Sequence, residues 1–205
     1  MTGEIETISK RFLRATLGVN AQGIAGLQGV NACPNLVALY GDSLIAQAHM
    51  DSFQLRRAVY NDVAIANALS GQRMIFAAKR AVSGWRSDQI LQRFRSDVAD
   101  GSLTASRCGT LIFSMGTNDI AQATTGFTDV VSGTAITIAN VADNLVANAV
   151  RLIDTAISLG IQCIFRTIHG ASNMNAAQIG ALEDANRRIR MLQQGRRLWL
   201  VETRD

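Results

Sequence analysis

Short apolar runs alternate with amphipathic stretches along most of this chain. Leu36 to Tyr40 is a continuous apolar run that stops at Gly41 and reads as a buried parallel strand. Ser43 to Leu55 then reads as a helix, and Ser70-Gly71 as a break. Arg73 to Ala78 is a second strand, ending near Ser83-Gly84. Ser87 to Val98 is amphipathic, with Ile90, Leu91, Phe94 and Val98 on one side and Ser87 as its cap. Thr110 to Met115 is a third strand, closed by Gly116. Residues 124–137 are polar, glycine-containing and β-branched, the pattern of an inserted loop or hairpin. A long helix follows from Ile138 to Leu159. Ile138, Val141, Leu145, Leu152, Ile153, Ala156 and Leu159 face inward, and Gly160 stands where a C′ glycine ends a helix. Gln162 to Ile168 is a fourth strand, Gln178 to Gln194 a helix ending at Gly195, and Leu198 to Val201 a fifth strand.

Strand and helix in alternation predict an α/β domain: a parallel sheet covered by helices on both faces, joined by right-handed crossovers. Ligands in such folds bind at the carboxyl ends of the strands. Three strands end in polar, glycine-bearing turns: Gly41-Asp42-Ser43, Ser83-Gly84 and Gly116-Thr117-Asn118-Asp119. The fold predicts that these turns meet in one cleft. Ahead of the domain, residues 4–17 carry a helical stripe, and Gly18 to Pro34 is a Gly-, Ala-, Asn- and Gln-rich lead-in. The expected division is therefore residues 1–34 as an N-terminal segment and 35–205 as the domain.

Composition narrows the function. The 205 residues are 48% hydrophobic and 18% charged, a globular balance. No apolar run approaches the ~20 residues needed to span a membrane. Met1 to Arg14 lacks the apolar core of a secretory signal, which leaves the compartment unknown and cytoplasmic by default. Cys33, Cys108 and Cys163 are widely spaced and read as buried reduced thiols, with neither disulfide nor metal-ligand spacing. The net charge is +4, but its arginines are scattered and only 5% of residues are aromatic. Nucleic-acid binding asks for a clustered basic face or stacking aromatics, so no nucleic acid is expected. No glycine-rich phosphate motif follows any strand, which disfavours a nucleotide-binding protein.

The turns suggest acyl transfer. A serine at a strand-to-helix turn projects its hydroxyl from the sheet edge, with its own N–H at the positive end of a helix. Ser43 has that position, and Gly41 permits the tight approach. Gly84 offers a backbone N–H with no Cβ in the way, and Asn118 offers a side-chain amide. With the Ser43 N–H these make three donors for one oxyanion, each worth ~3 kcal/mol in such sites. Singly, Ser43 reads as a helix cap, Gly84 as a turn glycine, and Asn118 with Asp119 as a cap on the next helix. In this order they point to chemistry.

Leu39-Tyr40-Gly41-Asp42-Ser43-Leu44 resembles the first block of the SGNH (GDSL) esterase and lipase family. Ala81-Val82-Ser83-Gly84 resembles the second block and Gly116-Thr117-Asn118-Asp119 the third. Lys79 and Ala81 stand where Asn and Gly are more usual in the second. The resemblance runs from about Leu36 to the last residue. It implies a three-layer α/β/α sandwich with about five parallel strands, flavodoxin-like. It implies Ser43 as nucleophile and Gly84 and Asn118 as the oxyanion hole, with Asp42 and Asp119 in support. No metal or organic cofactor is implied.

The family's general base is a histidine three residues after an Asp, following the fifth strand. No DxxH occurs in this sequence, which ends at Glu202-Thr203-Arg204-Asp205. His49 lies nearly two helical turns after Ser43 and should point away from the strand ends. His169 follows the fourth strand, at the same sheet edge as Ser43, and is a candidate substitute base or substrate contact. The preferred expectation is a chain that continues past Asp205 to a DxxH. A binding module without catalysis, and a site completed by His169 or another chain, are the alternatives. The leading reading is a serine ester hydrolase acting through an acyl-enzyme on a small-molecule or carbohydrate ester. Small acyl groups are favoured because aromatics are scarce and no long apolar lid is visible. The rival is an inactive structural module, tethered or self-associating through residues 1–34.

Overall fold

The central strand β3 (Cys108–Ser114) is buried along its whole length, because a strand paired on both edges and covered on both faces has no polar side to show. The computed structural model describes residues 33–43, 75–194 and 198–202, and within them five strands form one parallel sheet. These are β1 (Cys33–Gly41), β2 (Ile75–Ala81), β3, β6 (Gln162–Arg166) and β7 (Leu198–Val201), in the order β2-β1-β3-β6-β7. A small antiparallel pair, β4 (Phe127–Thr128) and β5 (Ala135–Ile136), forms the hairpin expected over 124–137.

The helices are α1 (Ser87–Ala99), α2 (Ser102–Ala105), α3 (Thr117–Gln122), α4 (Val141–Ser158) and α5 (Ala176–Leu192). From β2 to β3, β6 and β7 the chain steps in one direction along the sheet. Right-handed crossovers therefore put α1, α4 and α5 on the same face. That face holds the larger core. Tyr40, Leu111, Phe113, Cys163 and Phe165 from the strands meet Ile90, Phe94, Leu145, Leu152, Ile153 and Ile189 from the helices. Tyr40 with Phe94 and Phe113 with Phe165 pack edge to face, at 5.4 and 4.7 Å between centroids. The alternate residues Val37, Leu39, Ile112 and Ile164 form a second buried cluster on the opposite face.

Local chemistry sets the element ends. Gly160, at φ 76°, ends α4: its N–H bonds the Ile157 carbonyl and the Ile161 N–H bonds Ala156, a Schellman closure. Asn175 opens α5 in a capping box, accepting from the Gln178 N–H while the Gln178 side chain accepts from the Asn175 N–H. Asp97 ties α1 to the sheet by accepting from the Tyr40 hydroxyl at 2.6 Å and from Arg80, with Arg93 on its other oxygen. Burial and that carboxylate raise the Tyr40 phenol above its ordinary range.

The main departures from expectation are at edges. β1 starts at Cys33, so Cys33 and Pro34 belong to the sheet rather than to the lead-in. β2 runs to Ala81 rather than Ala78, and the second turn follows at Ser83-Gly84 as expected. Ser87 is the first helical residue of α1 and not its cap, which is Arg86. Cys108 and Cys163 are buried free thiols, and burial pushes Cys108 up to about 11. The expectations for residues 1–32, for the helix after Ser43 including His49, and for residues 203–205 lie outside the described residues.

Candidate active site

Strand register brings the three motif turns together. Gly41, the last residue of β1, pairs with Ala81, the last of β2, and with Ser114, the last of β3. The three strands therefore end level, and their turns leave the sheet side by side, about 5 Å apart. In the order β2-β1-β3 the chain reverses direction about β1, the kind of switch point at whose carboxyl edge open α/β sheets bind ligands. Ser43 emerges there half-buried, with Asp42 buried at 1% exposure behind it.

Hydrogen bonds stitch the turns into one rim. The Val82 N–H donates to the Gly41 carbonyl at 3.0 Å. The Asn118 side-chain amide donates to the Trp85 carbonyl at 2.9 Å. The Thr117 hydroxyl donates to the His169 carbonyl at 2.9 Å. Ser43, Gly84 and Asn118 thus follow three adjacent strands, and His169 follows the next, β6. The structure brings these four to one edge. It separates His169 from Ser43 by the width of β3, two strand spacings or ~10 Å of backbone.

Two glycines in the rim are demanded by geometry. Gly84 has φ 85° and Gly116 has φ 123°, conformations that side chains with a Cβ rarely adopt. At Gly116 space forbids a Cβ as well, since it would meet Leu145 Cδ1 at 2.6 Å and Ile168 Cδ1 at 2.9 Å. This close approach lets β3 turn sharply into α3 and sets where Asn118 points.

Asp119 does not cap the helix it starts. It is fully buried and turns towards α1, where its carboxyl accepts from the Ser87 N–H at 2.9 Å and the Ser87 hydroxyl at 2.5 Å. It thereby satisfies the N-terminus of α1 from across the sheet edge. Burial pushes Asp119 up to about 7, against the Ser87 hydrogen bonds that favour the anion. Ser87 Oγ also accepts from Asn148 at 3.2 Å, and Asn148 donates to Asp129 at 2.9 Å. Asp129 is also shielded from solvent, though it lies less deep, and four donors surround it: Asn144, Asn148 and the N–H groups of Val131 and Ser132. Burial opposes its ionisation, yet these bonds outweigh it and hold the carboxyl at about 2. This buried chain, Asp119–Ser87–Asn148–Asp129, ties the hairpin to the floor of the site.

Sequence reasoning missed Asn148, Asp129, Arg86 and Gln122. One signal was present: Asn144 and Asn148 stand four apart near the inward stripe of α4, where apolar residues are expected. Among the described residues no group of three His, Cys, Asp or Glu is placed to hold a metal ion, and no helix is long and apolar enough to cross a membrane.

No family model and no curated protein matches the sequence. Solved structures do match in shape. A GDSL-like lipase from Bacteroides thetaiotaomicron superimposes at a TM-score of 0.54 with 17% identity, over 91% of this chain and 77% of that one. An acetyl xylan esterase gives 0.54 at 16% identity, over 81% and 76% of the two chains. An SGNH-hydrolase family esterase gives 0.55 at 17%, over 81% and 74%. At such identities the likeness establishes the fold: a parallel five-stranded α/β sheet of the SGNH-hydrolase kind, as the sequence pattern predicts.

Proposed function

We propose that this chain of SGNH-hydrolase fold is a serine ester hydrolase, with Ser43 as nucleophile and Gly84 and Asn118 as oxyanion-hole donors. One observation carries the reading: the level ends of β1, β2 and β3, which put the three motif turns on one rim. The Asn118 amide has two N–H groups. One holds the Trp85 carbonyl, and the other is the donor assigned to substrate. In the reaction, Ser43 Oγ attacks the ester carbonyl carbon while a base takes the hydroxyl proton. The carbonyl oxygen becomes an oxyanion, held by the N–H groups of Gly84, Ser43 and Asn118. Collapse breaks the bond to the alcohol, which leaves with the proton, and water then repeats the sequence on the acyl-enzyme.

The base is a histidine. His169 is the one that the described residues place at this edge, and its ~10 Å backbone offset from β1 suits a substrate contact better than a direct bond to Ser43. The substrate class is a short-chain ester, an acetylated carbohydrate among the candidates. Scarce aromatic residues support this, as does the likeness to an acetyl xylan esterase. Asp42 and Asp119 support the site from within the fold, and the reaction requires no cofactor.

The test is intact-mass analysis after treatment with a serine-directed fluorophosphonate, alongside p-nitrophenyl acetate hydrolysis, with Ser43→Ala as control. The reading expects one adduct and ester turnover, both lost in Ser43→Ala. Equal turnover by the variant removes Ser43 from the mechanism. No adduct and no turnover favours the binding-module reading.

A further inference from the structure

The oxyanion loop is held from behind by side chains of α3, one of them, Gln122, outside the three motif turns. Gly84 is exposed, lies in the left-handed region and would meet nothing within 4 Å of an added Cβ. Packing therefore does not fix it, and a glycine restrains its own backbone less than any other residue. Yet a donor N–H serves an oxyanion only if its direction is fixed beforehand.

Two side chains of α3 supply that restraint. Asn118 and Gln122 stand four apart on one helical face. Asn118 donates to the Trp85 carbonyl, and Gln122 Nε2 donates to the Gly84 carbonyl at 3.3 Å. The two consecutive carbonyls of the loop are thus both anchored to one short helix. Gln122 is itself oriented, because its Oε1 accepts from Arg86 Nη1 at 2.9 Å, which leaves Nε2 directed at Gly84. Arg86 is in turn locked. Its Nε and Nη2 form a fork on the two oxygens of fully buried Asp88, at 3.1 and 3.0 Å. Its guanidinium carbon lies 4.2 Å from the centroid of the Phe127 ring. Asp88 also accepts the Val130 N–H at 2.8 Å, so both sides of this lock reach the β4–β5 hairpin.

We propose that Gln122, oriented by Arg86, is a positioning residue for the oxyanion hole, and that the inserted hairpin serves as its abutment. The proposal rests on the reading of Gly84 as an oxyanion donor. Gln122 touches no reacting atom. It acts through the Gly84 carbonyl, which fixes the loop that carries the Gly84 N–H.

Gln122→Glu is the discriminating variant. It keeps the side-chain length and an oxygen for Arg86, but it has no proton to give the Gly84 carbonyl. Arg86→Lys is the second, since one ammonium cannot reproduce the fork, the Gln122 contact and the ring contact together. Two readouts are needed. Backbone 15N relaxation should show the order parameters of Gly84 and Trp85 falling from about 0.85 towards 0.6 in both variants, with α4 unchanged. Ser43-dependent hydrolysis of p-nitrophenyl acetate should lose about tenfold in kcat with KM within twofold, the signature of a misplaced transition-state donor. Unchanged order parameters in both variants overturn the proposal, and so does a loosened loop with unchanged kcat. If the unmodified protein shows no Ser43-dependent turnover, the hydrolase reading fails separately. The relaxation data then decide the brace alone: loosening upholds it and rigidity overturns it.

Discussion

Asp119 and Asp129 are the two ends of one buried hydrogen-bonded chain, and they behave oppositely. Both are fully shielded from water. Asp119 accepts from Ser87 and from its own backbone N–H, and deep burial carries it up to about 7. Asp129 faces two amide side chains and two backbone N–H groups, and they hold it at about 2 despite burial. Neither side chain reaches solvent, but Asp119 lies deeper in the fold than Asp129 and beside the like-charged Asp88. Depth, neighbouring charge and the number of donors together set the charge of each carboxyl. The end beneath the rim of motif turns is the less compensated one, while the end beneath the hairpin is fully satisfied.

The largest expected effect is the pH dependence at Asp119. The folded protein keeps its proton from its ordinary 3.8 up to about 7, where the unfolded chain has lost it. Stability therefore falls as pH rises through that window and is flat above it, by up to about 4 kcal/mol. Urea unfolding at pH 4 and pH 8 measures the difference, and Asp119→Asn should abolish most of it. Asp129 has the opposite sign. Its contribution is present above its ordinary 3.8 and is lost as pH falls towards about 2, a loss of about 2 kcal/mol.

Next in size is the contrast between amide replacements. Asp129→Asn puts an NH2 group where an oxygen now accepts, so a donor faces donors inside the fold. It should cost about 3 kcal/mol at neutral pH. Asp119→Asn keeps one oxygen for Ser87 and replaces a group already close to neutral, so it should cost about 1 kcal/mol. Equal losses, measured by denaturant midpoint, would break the comparison.

These ends differ also in how far the sequence disclosed them. The strands and long helices were legible because period and length fix them locally: Leu198–Val201 is found as expected, and Gly160 closes α4. Ser43, Gly84 and Asn118 were legible as a set because each follows a strand, and strand order does the rest. The network was not. Its bonds join residues 32, 61 and 19 positions apart, and no periodicity links Asp119 to Ser87, Ser87 to Asn148, or Asn148 to Asp129. Ser87 shows the limit well. Its place at a helix start suggests a cap, yet its hydroxyl is spent on another element's carboxyl, a choice only tertiary packing makes. Gly116 lies between these cases: the turn is legible, but its closeness to Leu145 and Ile168 is not.

The smallest effect is the sharpest probe, because Ser87 sits between the two carboxyls. Its hydroxyl donates to Asp119 and accepts from Asn148. Ser87→Ala removes both bonds but leaves the backbone N–H on Asp119 and all four donors on Asp129. The expected cost is about 1 kcal/mol, since Asn148 keeps Asp129 as its acceptor and only Asp119 loses a partner. The pH profile should change at one end alone. Asp119 loses a bond that favours its anion, so the fall in stability moves to higher pH, while the acid limb set by Asp129 stays in place. A shift of both limbs together would mean that the hydroxyl transmits charge between the ends. The hairpin and the floor of the candidate site would then titrate as one unit, and the separate surroundings of each end would no longer account for their opposite behaviour.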